Sequence, residues 1–404
     1  MIGVEEALRT ILDNIVVLPP QEVELLEAAG LVLAEDVVSP VDLPPFHNSA
    51  MDGFAVRAAD LSGASEASPV SLRVLEDLPA GYVAKSKVEP GTAIRIMTGA
   101  PIPEGADSVV MVERTEQEGE LVRVNAPVND GENVRYRGEE LGEGEPALAR
   151  GVTLGPAQIG LLAAIGRGTV KAIRRPVVGI LSTGDEVVEV GEPLAPGKIR
   201  NSNSYSLAAQ VIEAGAVPKR LGIARDTQED VTRKLGDGLE CDALITTGGV
   251  SVGDYDMVKA VLSSLGRMVF WKVAMRPGKP LAFGVIQGTP VFGLPGNPTS
   301  SMVSFEQFVK PAIRKMSGHV SLGRVQIEAV LEEDIRVKPK LRYFLRAVVQ
   351  RRDGTYFARL AGPQGSGMLK PIAGADGLLV VPEELTEVKA GERLNVQLLH
   401  PLEE

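Results

Sequence analysis

The chain has 404 residues, of which 44% are hydrophobic and 24% are charged, a composition typical of a globular protein with about two to four domains. Its 42 Lys and Arg against 53 Asp and Glu give a formal net charge of -11, which argues against nonspecific nucleic-acid binding because such binding needs a basic face. One cysteine and three histidines exclude an internal disulfide framework and argue against a zinc site.

No stretch is apolar for long enough to span a bilayer, and the N-terminus lacks the basic start and apolar core of a signal peptide. We therefore expect a cytoplasmic protein without membrane contact. The lone cysteine, Cys241, begins an apolar run that is typical of a buried strand.

Apolar residues near the N-terminus recur at helical spacing and predict a first helix over residues 4–16. Residues 22–29 predict a second short helix that ends at Gly30. Residues 31–38 are expected to be extended, and the turn-rich residues 40–45 mark a change of element.

Between residues 46 and 140, short apolar runs alternate with Gly and Pro, which predicts a small β domain. The expected strands cover residues 70–75, 93–96, 108–112 and 121–124. Pro156 stands at the first position of a helix predicted to reach Ile165. Packing between the helical segments on either side would make the β domain an insertion.

From residue 176 to residue 318, strands alternate with helices, the pattern of a parallel sheet covered by helices. The expected strands are 177–181, 219–224, 243–247 and 268–273, and the expected helices are 204–214, 228–239 and 256–265. Beyond residue 318, short strands at 347–350, 355–360, 377–381 and 394–399 predict a small barrel or sandwich.

Four polar loops follow predicted strands: residues 182–186 (STGDE), 246–254 (TTGGVSVGD), 276–280 (RPGKP) and 294–300 (LPGNPTS). In a mostly parallel sheet, loops gather at the carboxyl ends of the strands, where ligands bind. Together the loops offer glycine N–H groups, hydroxyls, carboxylates and cations. This set suits an anionic ligand held with a metal ion.

The acids of these loops have simpler explanations as well. Glu186 could hold Mg²⁺, which favours one or two carboxylates plus ligand phosphates, although taken alone it is better explained as a solvated loop acid. Asp226 fits a capping box as N-cap with Glu229 at N3, an explanation at least as good as ligand contact. In residues 246–256 the three glycines and two acids, Asp254 and Asp256, exceed what a cap requires, so ligand binding is favoured.

Lys272, Arg276 and Lys279 bring three cations near one strand end, where they suit a phosphate or an oxyanion; a surface hairpin is the alternative. Asn297 is expected to cap a helix that places Ser300 near its positive end. The sequence contains no Walker loop, dinucleotide fingerprint or evident catalytic triad. The residues alone therefore predict a multidomain protein with an anion-plus-metal site on its α/β domain.

These stretches together resemble the molybdenum insertase family, which includes bacterial MoeA, plant Cnx E domains and the gephyrin E domain. The resemblance runs nearly end to end. It rests on residues 48–55 (NSAMDGFA), 97–101 (MTGAP), 138–140 (GEE), 182–186 (STGDE), 247–254 (TGGVSVGD), 276–280 (RPGKP), 294–298 (LPGNP) and 364–367 (QGSG).

The resemblance implies an α/β-plus-β multidomain fold with four parts. They are an elongated N-terminal helical region (1–45 and 141–175), an inserted small β domain (46–140), a three-layer α/β/α molybdopterin-binding domain (176–318) and a C-terminal β-barrel-like domain (319–404). It also implies a homodimer whose cleft combines the α/β domain of one subunit with the N-terminal region of the other.

The implied activity is that of a molybdopterin molybdenumtransferase, which inserts molybdate into adenylylated molybdopterin with Mg²⁺ and releases AMP. Splitting a phosphoanhydride needs metal and cationic stabilisation rather than a protein nucleophile, which agrees with the residue inventory. The implied partners are a molybdopterin adenylyltransferase and molybdoenzyme acceptors. The alternatives are the adenylyltransferase itself, typically a single small domain, and a gephyrin-like scaffold without enzymatic activity.

The loop pattern and the resemblance together give a set of candidate residues. The expected catalytic residues are Asp52, Glu186, Asp226 and Asp256, and the last three are also the expected Mg²⁺ ligands. The expected substrate-binding residues are Thr98, Glu140, Ser182, Gly248, Gly249, Ser251, Asp254, Lys272, Arg276, Lys279, Asn297, Ser300, Arg346 and Ser366. Glu140 stands where the family more often has Asp, and Arg276 where it often has Lys, so charge is kept while ligand geometry is open.

Overall fold

The computed structural model describes residues 1–248, 264 and 266–402. The chain divides into two compact units. The first unit contains Met1–Gln21, Gly30–Val32 and Lys171–Glu404, and the second contains Glu22–Ala29 and Leu33–Val170. The predicted site residues Gly249, Ser251, Asp254 and Asp256, and most of the helix predicted over residues 256–265, lie outside the described residues.

The described helices are α1 (Val4–Asp13), α2 (Pro156–Ala164), α3 (Ser202–Glu213), α4 (Gln228–Asp237), α5 (Pro298–Ser304), α6 (Lys310–Met316) and α7 (Leu369–Ala373). A π-helical turn, Phe305–Val309, joins α5 to α6. Two short 3-10 turns cover Ala58–Leu61 and Val112–Arg114. Among the helices that the structure describes, none is long and apolar enough to cross a membrane.

The strands in the first half of the chain are β1 (Pro20–Glu24), β2 (Val37–Val38), β3 (Asn48–Ser49), β4 (Gly53–Val56), β5 (Val70–Leu78), β6 (Thr92–Ile96), β7 (Ser108–Met111), β8 (Thr115–Glu118), β9 (Leu121–Val124), β10 (Val134–Arg135), β11 (Pro146–Leu148), β12 (Thr169–Ile173), β13 (Val177–Thr183), β14 (Val187–Val188) and β15 (Ile199–Arg200).

The strands in the second half are β16 (Val217–Ala224), β17 (Ala243–Thr247), β18 (Arg267–Lys272), β19 (Met275–Arg276), β20 (Pro280–Ile286), β21 (Thr289–Leu294), β22 (Gln326–Leu331), β23 (Ile335–Arg336), β24 (Arg342–Arg352), β25 (Thr355–Leu360), β26 (Gly377–Val381), β27 (Glu387–Val388) and β28 (Arg393–Leu398).

The first predicted helix is confirmed as α1, which buries Val4, Ala7 and Ile11 along one face. The second predicted helix, over residues 22–29, is wrong. There the chain forms β1 and then turns, with two helix-like hydrogen bonds, from Ala28 N to Glu24 O (3.0 Å) and from Ala29 N to Leu26 O (3.3 Å), before Gly30 reverses it at φ +79°. One turn cannot hold a helix by itself, because nucleation costs more than so few hydrogen bonds return.

The second unit contains the predicted β structure, a six-stranded sheet in the order β7-β4-β6-β5-β9-β8. All four strands expected between residues 70 and 124 are present, with bounds shifted by up to three residues. Close packing explains one glycine of the 48–55 motif, since a Cβ on Gly53 would lie 1.9 Å from Val110 O. Helix α2 begins at Pro156, as predicted.

The first unit contains a six-stranded sheet in the order β16-β13-β17-β21-β20-β18. The strands β16, β13, β17 and β21 are parallel, and β20 and β18 extend the sheet antiparallel. The mostly parallel sheet is therefore confirmed. The connection between β18 and β20 is too short for a parallel crossover, which explains the antiparallel edge.

Helices cover both faces of this sheet. On one face, Ile180 and Ile245 pack with Leu207 of α3 and with Phe305 and Phe308. On the other face, a separate core of buried residues is formed by side chains that alternate with these, including Leu181, Leu244, Val231 and Leu235. The near-continuous apolar strands follow from burial on both faces.

The C-terminal strands of the first unit form a closed barrel. The order β24-β25-β22-β28-β26 returns to β24, and β19 adds to β24 from outside the ring. Its interior holds Leu331, Leu345, Ala347, Leu379 and Val396. Of the two architectures expected from the sequence, the barrel is the one observed.

A buried ionic cluster joins the π-helical turn to the segment that leads into the barrel. Arg324 donates to both carboxylate oxygens of Glu306, at 2.7 and 3.0 Å, and Lys310 Nζ lies 3.7 Å from the same carboxylate. The side chain of Glu306 is 2% exposed. Burial alone would lower the pKa of Arg324, but its bonds to Glu306 and Glu213 outweigh burial and raise it. The cluster therefore stays charged and ties the barrel to the α/β sheet.

Replacing Arg324 with Met is expected to lower the free energy of unfolding by about 3 kcal/mol, because Glu306 then keeps a buried charge with only Lys310 and the amide of Gln210 as polar neighbours. Urea denaturation of the full chain measures the change. The control is Arg393→Met, which removes an exposed pair with Glu328 (57% and 57% exposed) and is expected to cost less than about 1 kcal/mol. Equal losses in the two variants would contradict the role of burial.

Candidate functional site

The four parallel strands of the first unit end side by side at one edge of the sheet. Ser182 pairs with Thr247, and Thr247 pairs with Leu294. Thr183 pairs with Ala224 on the remaining side. The segments that follow these positions therefore share one edge, as expected for parallel strands.

A cavity of about 80 Å³ opens at this edge. Its lining includes Ser182, Glu186 and Gly248 from the predicted set, together with Asn203 and Gly296. The structure thus brings together residues that lie far apart along the chain. The loops after β13, β17 and β21 meet here, as the sequence predicted.

Asp185 and Asp226 are linked to each other beside this cavity by two hydrogen bonds. The backbone N–H of Asp185 donates to Asp226 Oδ2 (3.3 Å), and the N–H of Asp226 donates to Asp185 Oδ1 (3.4 Å). Glu186 folds back on Gly184, where a Cβ would lie 2.6 Å from its Oε2 and where φ is +137°. Among the residues described, no group of three or more His, Cys, Asp or Glu is arranged to hold a metal ion.

The predicted capping role of Asp226 is wrong. The N-cap of α4 is Thr227, whose hydroxyl accepts from the N–H of Asp230 (3.3 Å), and Asp230 reaches back to accept from the N–H of Arg225 (2.9 Å). A hydroxyl and an aspartate cap helices equally well, so the sequence did not decide between adjacent residues. The carboxylate of Asp226 does not cap α4 and instead accepts a hydrogen bond from Asp185 at the strand end.

A chain of hydrogen bonds holds Ser182 in place. Its hydroxyl donates to Asn201 Oδ1 (2.7 Å), which also caps α3 by accepting from Ser204 N, and Asn201 Nδ2 donates to Glu189 (3.1 Å). Arg220 Nη2 donates to Glu189 at 2.8 Å. Burial acts to raise the pKa of Glu189, but its bonds from Asn201 and Arg220 prevail and lower it. Ser182 is 2% exposed, so this network fixes its orientation.

Gly248 approaches the neighbouring strand closely. A Cβ at this position would lie 2.6 Å from Thr183 O and 2.8 Å from Thr183 Oγ1, and φ is +94°. Both facts require glycine. The N–H of Gly248 donates to Leu294 O (3.2 Å), so the bare backbone of this loop is anchored between two strands.

The three predicted cations lie where the sheet meets the barrel. Lys272 ends β18 and is partly buried, while Arg276 and Lys279 are exposed. Arg276 belongs to β19, which pairs with Arg342 and Tyr343 of the barrel. The surface-hairpin alternative is partly confirmed, because Lys272 of β18 pairs with Pro280 of the antiparallel strand β20, while β19 within the connection pairs with the barrel.

Arg346 is fully buried, with 0% of its surface exposed. Its Nη2 donates to Pro363 O (3.1 Å) and Gly365 O (3.2 Å), while Nε and Nη1 have no partner. Burial lowers the pKa of this guanidinium. Arg346 and Arg276 line the same cavity of about 480 Å³. Arg346 thus adds a basic group to the oxyanion-binding site predicted around Arg276.

The loop that carries Ser366 sits on the N-terminus of α5. Asn297 Nδ2 donates to Ser366 Oγ (3.2 Å), and Thr299 N donates to Ser366 O (3.1 Å). Asn297 occupies the N-cap position, as predicted, but its side chain makes no capping bond and holds Ser366 instead. Ser300 is buried at 4% exposure. The barrel and the sheet edge are therefore in direct contact.

Three predicted residues belong to the second unit. Asp52 Oδ1 accepts from the N–H of Thr98 (2.7 Å) and from its hydroxyl (2.8 Å). The backbone N–H of Thr98, and then its hydroxyl, hold the pKa of Asp52 below its usual range. Glu140 is exposed, and its N–H donates to Leu43 O (3.0 Å).

Sequence reasoning missed Asp185, Asn201 and Asn203. Asp185 lies within the STGDE motif, but the motif favours its neighbour Glu186 as the metal ligand, because Glu186 follows the glycine turn. Asn201 and Asn203 open α3 after an irregular loop, and neither belongs to a quoted motif. Their partners lie across the sheet, which periodicity does not reveal.

Three family models match successive parts of the chain: the MoeA N-terminal region, domains I and II, over residues 2–166, a probable molybdopterin binding domain over residues 179–315, and the MoeA C-terminal region, domain IV, over residues 328–399. A protein from Mycobacterium tuberculosis named molybdopterin molybdenumtransferase 2 is 40% identical, with 98% of this chain and 99% of its own length covered. The Bacillus subtilis molybdopterin molybdenumtransferase is 38% identical, with 93% and 89% covered.

The crystal structure of the molybdopterin biosynthesis MoeA protein from Pyrococcus horikoshii superposes with a TM-score of 0.83 at 34% identity. The alignment covers 98% of this chain and all of that one. The multidomain architecture is therefore shared over the full length.

Replacing Thr98 with Val is expected to raise the pKa of Asp52 toward its ordinary value of 3.8, because one of two hydrogen bonds to the carboxylate is lost. NMR titration of the Asp52 carboxyl measures this. Because the pKa of Asp52 is lowered, its contact with Thr98 stabilises the fold at pH values above the ordinary pKa. This stabilisation is lost as the pH falls through the lowered pKa, and in the variant it is lost at a higher pH. The control is Thr115→Val, and an unchanged titration in Thr98→Val would contradict the assignment.

Proposed function

The chain belongs to the molybdopterin molybdenumtransferase family, that of MoeA, and we propose that it inserts molybdate into adenylylated molybdopterin and releases AMP. Family membership makes it a transferase of molybdenum cofactor biosynthesis. The full-length match to relatives of this name favours it over an adenylyltransferase or a scaffold.

The observation that carries the proposal is that acids and cations lie in two places of the first unit that one contact links. Asp185 and Asp226 lie side by side at the ends of β13 and β16, each accepting from the backbone N–H of the other. Arg276 and Arg346 line a cavity at the barrel, and the Asn297–Ser366 contact links the two places. The adenylylated substrate carries phosphate charge, and its co-substrate is an oxyanion. The reaction therefore requires basic groups that bind these anions and carboxylates that hold the accompanying cation.

The carboxylates fit a divalent cation. Mg²⁺ prefers oxygen ligands and is commonly bound by one or two carboxylates with substrate phosphates. Asp185 and Asp226 would hold the ion with Glu186 and Asp256, and when bound it would neutralise charge that develops on the phosphates.

The remaining groups would bind and orient the substrates. Gly248 suits a neighbouring anion, because a residue without a side chain lets a phosphate approach the backbone closely. Lys272, Lys279 and Arg276 would supply positive charge. The unpartnered N–H groups of Arg346 are desolvated, so a hydrogen bond to an oxyanion there would be stronger than at the surface.

The second unit would act through a homodimer. Asp52, Thr98 and Glu140 match positions that line the cleft of the opposite subunit in the family. A cytoplasmic location, an adenylyltransferase as supplier and molybdoenzymes as acceptors belong to the same proposal. So do the four domains with boundaries near residues 45, 140, 175 and 318, and the three-layer arrangement of the third.

The test is release of AMP from adenylylated molybdopterin on addition of molybdate. Glu186→Ala is expected to lower the rate by at least about a hundredfold, the typical effect of removing a group that stabilises developing charge. The control is Glu192→Ala, an exposed acid of the same loop region, which is expected to leave the rate within about twofold. Full activity in Glu186→Ala, or none in the wild type, would refute the proposal.

Removal of divalent cations with EDTA is expected to stop AMP release, and added Mg²⁺ to restore it. In Asp226→Asn, the Mg²⁺ concentration that gives half the maximal rate is expected to rise by at least about tenfold. Asp237→Asn, on the exposed side of α4, serves as the control. An Mg²⁺ dependence that is the same in both variants would exclude Asp226 from the cation site.

A further inference from the structure

Asn203, in the first turn of α3, bridges two strand ends at the cavity. Its Nδ2 donates to Thr247 Oγ1 (2.7 Å) at the end of β17 and to Gly296 O (2.8 Å) after β21. The hydroxyl of Thr247 in turn donates to Pro295 O (3.3 Å). One amide thus fastens two neighbouring loops to each other.

The orientation of this amide is fixed by its partners. Gly296 O can only accept, so it must face Nδ2 and not Oδ1. Oδ1 has no partner within the described chain. The contribution of Asn203 to its surroundings is therefore carried by the two bonds of Nδ2.

The segments that Asn203 fastens lie close to each other, and one of them is tightly packed against β13. A Cβ on Gly296 would lie 3.6 Å from Gly248 Cα, and one on Gly248 would overlap Thr183 O. Gly248 also donates to Leu294 O at 3.2 Å. The ends of β13, β17 and β21 therefore meet at Gly248. Loosening this contact would move the backbone that faces the ligand.

We propose that Asn203 is a positioning residue for the transfer reaction: it holds Gly248 and Gly296 at the separation that the phosphate-bearing substrate requires. The inference rests on the proposed function, because it assigns the ligand at this edge to a nucleotide phosphate. Asn203 acts through the two glycines and does not itself touch the reacting atoms.

The first measurement is the binding of AMP by calorimetry. In Asn203→Ala, the Kd is expected to rise by about tenfold, since two hydrogen bonds that set the loop position are lost. Asn203→Asp has the same size but presents an oxygen to Gly296 O, so its Kd is expected to rise at least as much. Thr247→Val removes only one of the two acceptors and is expected to have a smaller effect, which does not add to that of Asn203→Ala.

The second measurement is hydrogen exchange of the Gly248 amide without ligand. Exchange is expected to become faster in Asn203→Ala and to stay unchanged in Ser206→Ala, a substitution on the same helix that leaves both bridging bonds intact. This readout does not depend on the proposed function.

Two results would overturn the inference. One is a lower melting temperature in Asn203→Ala with the Kd for AMP within about twofold of the wild type, which would indicate a purely structural role. The other is unchanged exchange at Gly248. If the wild-type protein binds no AMP, the proposed function fails, and the exchange result alone then decides the positioning role.

Discussion

The parallel alignment of β16, β13, β17 and β21 is the constraint on which the rest of the first unit depends. Strands that run the same way end at the same edge, so the polar segments that follow them are brought together without long excursions of the chain. Burial on both faces keeps β13, β17 and β21 apolar almost to their last residues, whereas the edge strand β16 carries the exposed Lys219 and Arg220. The polarity begins at Ser182, Thr246 and the glycines beyond them, where the sheet stops and the cavity starts.

The acids and the two arginines of the site lie on different supports. The acids follow strands of the α/β sheet, whereas Arg346 belongs to the barrel and Arg276 to β19, which pairs with the barrel; Lys272, by contrast, ends β18 of the sheet itself. Separate supports prevent the two sets from neutralising each other through salt bridges. The contacts of Asn297 and Thr299 with Ser366, and the buried Glu306–Arg324 pair, keep both supports at a fixed distance.

The spacing of apolar residues predicted the elements that are buried along one face or both, such as α1, α3 and the parallel strands. It could do so because buried positions are filled by apolar residues at regular intervals along the sequence. It failed for residues 22–29, where the apolar pattern is too short to outweigh local turn geometry. Neighbouring candidates such as Asp226 and Thr227 have equal capping ability, and only the backbone path separates them. Asn203 meets partners 44 and 93 residues away, a separation over which one sequence carries no signal.

Closure of the C-terminal ring has a consequence for association. A ring of five strands leaves few free backbone donors and acceptors along its strands, and the strand that adds to it, β19, pairs with β24 over Met275 and Arg276. Little backbone is therefore left for a second copy or a misfolded chain to extend, and recognition by the barrel relies mainly on side chains and loops. Such contacts can change by point substitution while the ring itself stays intact.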